Sequence, residues 1–252
     1  MKSEAQIDLR PSSTFDKTLS NSNARIKNRR TAVTVEESSQ IIETCSTLHR
    51  LCCSAKRHRF PFVEEEVPRN GIYVLFEKGE YGHQADRIVR IGSHTGKDQL
   101  RSRIRQHFLI ENKDKSIFRK NIGRAILNQD DDPFLEQWEY CLTSRKNKSL
   151  YAHLVDFEKQ KIVEKKVSQY IRKSFTFSCI KIEDKNIRLM LEAKMISTVS
   201  WCKVCRPSKH WLGQFSPKEK IRKSGLWLVN HLYRSPLNDK ELEYIESCIV
   251  NS

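Results

Sequence analysis

Residues 70–96, NGIYVLFEKGEYGHQADRIVRIGSHTG, constrain the fold more than any other stretch of the chain. Two apolar runs separated by polar residues read as a β-hairpin. The first opens on Gly71-Ile72-Tyr73, and the second closes on Arg90-Ile91-Gly92 before Ser93, His94 and Thr95. Leu100, Ile104 and Phe108 then recur at i, i+4 and i+8, which predicts an amphipathic helix directly after the hairpin.

The rest of the chain arranges itself around this unit. Residues 1–38 are polar and basic, with Arg25, Lys27, Arg29 and Arg30, and carry too little apolar surface to offset ordering, so they read as a mobile tail. Ile41, Ile42, Cys45, Leu48 and Cys52 predict a packing helix over residues 36–54. Downstream, residues 117–126 read as a helix, 134–143 as a strand, 158–173 as a basic helix, 175–182 as a strand and 185–200 as a helix. The expectation is an α+β (mixed α/β) fold, a small sheet flanked by helices with N-terminal and internal helical insertions, over residues 39–240, with 241–252 as a C-terminal tail.

Lys and Arg total 46 against 31 Asp and Glu among 252 residues, a formal net charge of +15. Such an excess favours a polyanionic partner. No apolar run approaches the roughly 18 residues of a membrane span, and the N-terminus has no signal-peptide core. Eight cysteines in a chain of this length read as mostly reduced. Nucleic acid in a cytoplasmic setting follows as the expectation.

Three features carry candidate chemistry. Arg103 and His107 border the apolar stripe of the first helix, where an arginine is costly unless it meets an anion such as phosphate. Gly92 to Gly96 ends a strand with hydroxyl residues before a helix, a place where free N–H groups would hold a phosphate or a water. Glu192, inside the apolar run NIRLMLEAKMIS, is either an ion-pair partner or a ligand for a hard cation.

Taken in order, Gly71-Ile72-Tyr73, Ile91-Gly92, Arg103, His107, Glu192 and Asn230 resemble the GIY-YIG nuclease superfamily. The resemblance implies a DNA endonuclease of restriction or defence type. Glu192 would hold one Mg²⁺ or Mn²⁺, Arg103 would stabilise the pentacoordinate phosphate, and Tyr73 would orient or deprotonate water with His107 as proton partner. Asn230 would help fix the site. The sequence departs from the family pattern at Arg90, where the family has the tyrosine of YIG. Arg90 and His94 are then candidates to bind phosphate or place water, and Arg119, Lys120 and Arg124 to bind nucleic acid. Duplex DNA is the expected partner, with a homodimer left open. The rival reading is a catalytically inactive nucleic-acid-binding module of the same fold.

Cys202-x-x-Cys205 with His210 supplies three of the four ligands that structural zinc requires, and Cys179 or His231 are candidates for the fourth. Trp201, Trp211 and Trp227 read as core or loop anchors before base-stacking platforms, and the basic helix as either a solvated face or a track for a DNA backbone.

Overall fold

The computed structural model describes residues 35–250; the basic tail expected at the N-terminus lies almost entirely outside them. The chain begins with helix α1 (Val35–Ser54), strand β1 (Arg57–Arg59) and a 3-10 turn at Glu64–Glu66. The hairpin follows as β2 (Gly71–Gly82) and β3 (Ala85–Gly92), then α2 (Leu100–Phe108) and α3 (Ile117–Gln129). Short helices α4 (Phe134–Glu139) and α5 (Arg145–Tyr151) lead to α6 (Phe157–Ser174), β4 (Phe175–Lys181) and α7 (Lys185–Trp201). The remainder holds a 3-10 turn at Leu212–Phe215, α8 (Glu219–Ser224) and α9 (Asp239–Val250).

The four strands form one antiparallel sheet in the order β1-β4-β2-β3. Alternation along β2 splits the core in two. Ile72, Val74 and Phe76 pack with α1 and with Leu191, Met195 and Val199 of α7. Tyr73 and Leu75 pack on the other face with α2, α3 and α6. Each face therefore has its own apolar layer, as expected of a sheet covered on both sides.

One irregularity decides what the site contains. Leu75 pairs with Arg90 but Phe76 pairs with Ile88, so Val89 is a bulge residue. The extra residue puts Arg90 on the same face as Leu75 and Tyr73; without it, period-two alternation would send Arg90 to the opposite side. Two glycines permit close packing here. A Cβ on Gly71 would lie 2.3 Å from the Ile180 carbonyl oxygen, and one on Gly92 would lie 2.2 Å from the Tyr73 hydroxyl.

Two sequence expectations are corrected. Residues 134–143 are not a strand: Phe134 and Trp138, four apart, bury one face of helix α4, and the Trp138 indole N–H donates to the Lys120 carbonyl at 3.0 Å. The C-terminal tail is helix α9, whose Leu242 and Ile245 enter the α1/α7 layer. Strand β1, between α1 and Pro61, was not legible, because three residues show no periodicity. No helix among the described residues is long and apolar enough to cross a membrane.

Candidate active site

Tyr73 is the centre of the site. Its side chain is 1% exposed, under α2. Its hydroxyl lies 2.8 Å from His107 Nε2 and accepts a hydrogen bond from Arg90 Nε at 3.2 Å. His107 Nδ1 in turn meets Ser116 Oγ at 2.8 Å. Ser116 is the N-cap of α3 and accepts from the Arg119 main-chain N–H, so one hydroxyl both starts a helix and steadies the imidazole. Arg90 also donates to the Trp227 carbonyl and lies over the Phe118 ring, 5.3 Å from its centroid.

The electrostatics are those of an anion site. Burial pushes the His107 pKa well down, and the neighbouring Arg90, Arg103 and Arg119 push it the same way, so the ring is neutral. Glu192, half-buried on α7, is raised to about 7 by burial, against opposition from Arg90, the Ser93 main-chain N–H, Arg103 and Arg188. Arg188, one turn before Glu192, is buried and donates to the carbonyls of Ile182, Glu183 and His94, with no carboxylate paired to it among the described residues. Three guanidiniums thus face one carboxylate. Such an excess is stabilised by a phosphate.

The sequence-predicted residues divide cleanly. Tyr73, Arg90 and His107 are hydrogen-bonded together, and Arg103 and Glu192 lie within electrostatic reach of them. Arg103 is half-buried and donates to Gln106 Oε1 at 2.9 Å. Asn230 is exposed in the segment after Trp227 and is not bonded to this network among the described residues.

The remaining candidates are corrected. His94 has no free nitrogen: Nδ1–H donates to the Gly96 carbonyl at 2.7 Å and Nε2 accepts from the Gly71 N–H at 3.3 Å, so it clips the loop to the start of β2. The hydroxyl residues after Gly92 do not cap α2, whose N-cap is Gln99; the Ser93 N–H serves Glu192 instead. Arg119 is buried and bonded to Glu164 at 2.6 Å, and Arg124 bonds Glu139 and Asn121. Lys120 donates to the Glu139 carbonyl at 2.6 Å. Their placement on one helix turned these three cations inward, where they join α3 to α6 and to the end of α4. Three lysines of the basic helix α6 have acidic partners: Lys159 pairs with Asp132, Lys161 with Glu158 and Lys166 with Asp130. The tryptophans are anchors, Trp211 and Trp227 both donating to Glu77 Oε2 and Trp201 to the Arg234 carbonyl.

Sequence reasoning singled out Ser93, though as part of a helix start and not beside Glu192, and missed Ser116 and Arg188. Only Arg188, four residues from Glu192 on one helix, left a signal in the spacing.

A divalent cation fits the oxygen-donor side of the site. The Ser93 hydroxyl is buried with no hydrogen-bond partner among the described residues, and the Ser93 N–H reaches Glu192. A hydroxyl oxygen free of partners among the described residues, beside a half-buried carboxylate, is a hard donor set. A separate group of ligand-type side chains, Cys45, His49, His83 and Cys205, lies on the other side of the sheet.

Residues 38–252 match the GIY-YIG domain family. The match covers most of the chain, which therefore belongs to this family of nucleases, whose members use divalent metals and act on nucleic acid. No curated protein and no solved structure matches the chain.

Proposed function

We propose that the protein is a divalent-metal-dependent endonuclease that hydrolyses DNA phosphodiester bonds, in duplex DNA and in a restriction or defence setting. The observation that carries this reading is the hydrogen-bonded unit of Arg90, Tyr73 and His107, with Arg103 and Glu192 beside it. The +15 net charge supports the polyanionic substrate.

Arg90 donates to the Tyr73 oxygen and holds it in place, while His107 fixes the phenol's rotamer. His107 is a poor destination for a proton, because a further cation beside Arg90, Arg103 and Arg119 would be unfavourable. Its role is therefore to position Tyr73, whose hydroxyl orients the attacking water; as the water oxygen bonds to phosphorus and the P–O bond to the leaving oxygen breaks, the water's proton passes to solvent and the leaving oxygen takes one up from solvent. Arg103 stabilises the charge that builds on the phosphoryl oxygens. Glu192, with Ser93, would hold Mg²⁺ or Mn²⁺, which supplies Lewis-acid stabilisation of that charge when bound. Arg90, in the place of a second tyrosine, is then a working replacement.

The second reading, a module that binds nucleic acid without cutting it, is favoured by one observation: the Tyr73 hydroxyl is buried with both its neighbours already bonded. A plasmid-nicking assay in Mg²⁺ and in Mn²⁺, with wild type beside Glu192→Gln, separates them. Nicking by wild type alone supports the nuclease. Gel shifts without nicking by either protein support the binding module.

A further inference from the structure

The turn that links β2 to β3 has the conformation of a tight hairpin, but not its usual residues. His83 and Gln84 both have positive φ, 53° and 60°, where Asn and Gly are preferred and other residues lose about 1–2 kcal/mol each. A histidine is kept at an unfavourable backbone position, and its side chain points at sulfur: His83 Nε2 lies 3.3 Å from Cys202 Sγ.

Cys202 is one of three converging thiols. Cys45 Sγ is 3.5 Å from Cys205 Sγ, and Cys202 is in side-chain contact with both. All three residues are buried and none is in a disulfide. With Zn–S near 2.3 Å and Zn–N near 2.0–2.1 Å, the edges of a tetrahedron are about 3.8 Å between sulfurs and about 3.6 Å between sulfur and nitrogen. The observed separations are of that size. They also far exceed a disulfide bond length of about 2.05 Å.

His49 belongs to the wall of this cluster and not to its ligands. Its Nδ1–H donates to the Cys45 carbonyl at 2.9 Å and its Nε2 accepts from the Ile88 N–H at 3.2 Å, which leaves no lone pair for a cation. His210, expected from the sequence as a partner of Cys202 and Cys205, is exposed. The Cys202-x-x-Cys205 turn aims the Val204 and Cys205 main-chain N–H groups at Cys202 sulfur, a support for a metal-bound thiolate. Gly82 lets the turn approach, since a Cβ there would lie 3.3 Å from Cys205 Sγ.

We infer that Cys45, His83, Cys202 and Cys205 form a structural zinc site, which ties α1 and the β2–β3 turn to the end of α7. Binding replaces three thiol protons by three Zn–S bonds and adds one Zn–N bond, with no change of oxidation state. The four ligands leave no open position, so this metal is structural and independent of the divalent ion proposed at Glu192.

The test is metal analysis of the full chain, purified untagged from cells without added zinc, together with the absorption spectrum of the protein loaded with Co²⁺. About one zinc per chain and a tetrahedral Co²⁺ spectrum with the charge-transfer intensity of three thiolates are expected. His83→Asn keeps a residue suited to positive φ while removing the nitrogen ligand, and should weaken zinc binding by more than about 100-fold. The assignment fails if zinc is below about a tenth of an equivalent. It also fails if H83N holds zinc like the parent or if the protein carries a Cys202–Cys205 disulfide. Charge-transfer intensity for only two thiolates would overturn the ligand set even if H83N does not fold.

Discussion

The two faces of the β2–β3 hairpin carry polar clusters of opposite chemistry. On one, Tyr73, Arg90 and His107 meet Arg103 and Glu192, a set of hard donors with an excess of positive charge. On the other, three thiols and His83 converge in an apolar layer made by α1 and α7. The first is half-open at Arg103 and Glu192; the second is closed. The difference separates a site built to turn over a ligand from one built to keep it. A reacting site needs an unfilled coordination or charge requirement, whereas a structural metal site satisfies every ligand.

If the faces are independent in this sense, a change at one should leave the readout of the other untouched. The largest effect expected is from Glu192→Gln, which keeps the side-chain shape and removes the carboxylate. Nicking should fall to background while gel-shift affinity and zinc content stay at wild-type values; wild-type nicking would remove Glu192 from the mechanism. Arg103→Ala should follow, with cleavage slowed about 10²–10³-fold, the usual loss for one charge-stabilising donor. A rate within threefold of wild type would show that Arg103 does not face the reacting phosphate.

The same contrast explains what could be read before the structure. The hairpin, α2, α3, α6, β4 and α7 all announce themselves by local periodicity, and Tyr73, Arg90, Arg103 and His107 lie within 35 consecutive residues, where order alone suggests proximity. Glu192 stood out because a carboxylate in an apolar helix needs a reason. The zinc ligands lie on three segments far apart in sequence, and the nearest histidine in sequence, His210, was the wrong one. Sequence distance is no guide when a turn at residue 83 folds back over the end of α7. Charge was also misread on α3: Arg119 and Arg124 look like phosphate ligands in a basic chain, yet Glu164 and Glu139, on other elements, meet them inside. A side chain's partner on a distant segment is invisible to periodicity.

Gly92→Ala tests whether the hairpin geometry itself holds the reactive face. The added methyl would sit 2.2 Å from the Tyr73 hydroxyl, and the phenol cannot yield without leaving Arg90 and His107. Overpacking of this kind costs about 1–3 kcal/mol. Denaturant melts should register that loss, and cleavage should drop more than stability does, because the displaced atom is the one proposed to orient the attacking water. The zinc content should not change. Equal stability and full activity would mean that Tyr73 has slack that the packing does not show.

The smallest effect is a slope. His107 is neutral in the fold because burial and three nearby arginines hold its pKa well below the ordinary 6.5, while in the unfolded chain it titrates near that value. Below pH 6.5 the unfolded state therefore binds a proton that the folded state refuses. The stability this gives is fully present above that pH and is lost as pH falls, by at most about 1.4 kcal/mol per pH unit for one such group. His107→Gln removes the titration and should flatten the fall in unfolding free energy between pH 6.5 and 5 relative to wild type, whatever its effect on stability at neutral pH. Measuring both proteins against each other cancels the acid sensitivity of the thiol cluster on the opposite face, which the two share. Parallel curves would mean that His107 takes up a proton in the folded state despite its arginine neighbours. That result would restore it as a proton acceptor for Tyr73 and reverse the positioning role argued for it above.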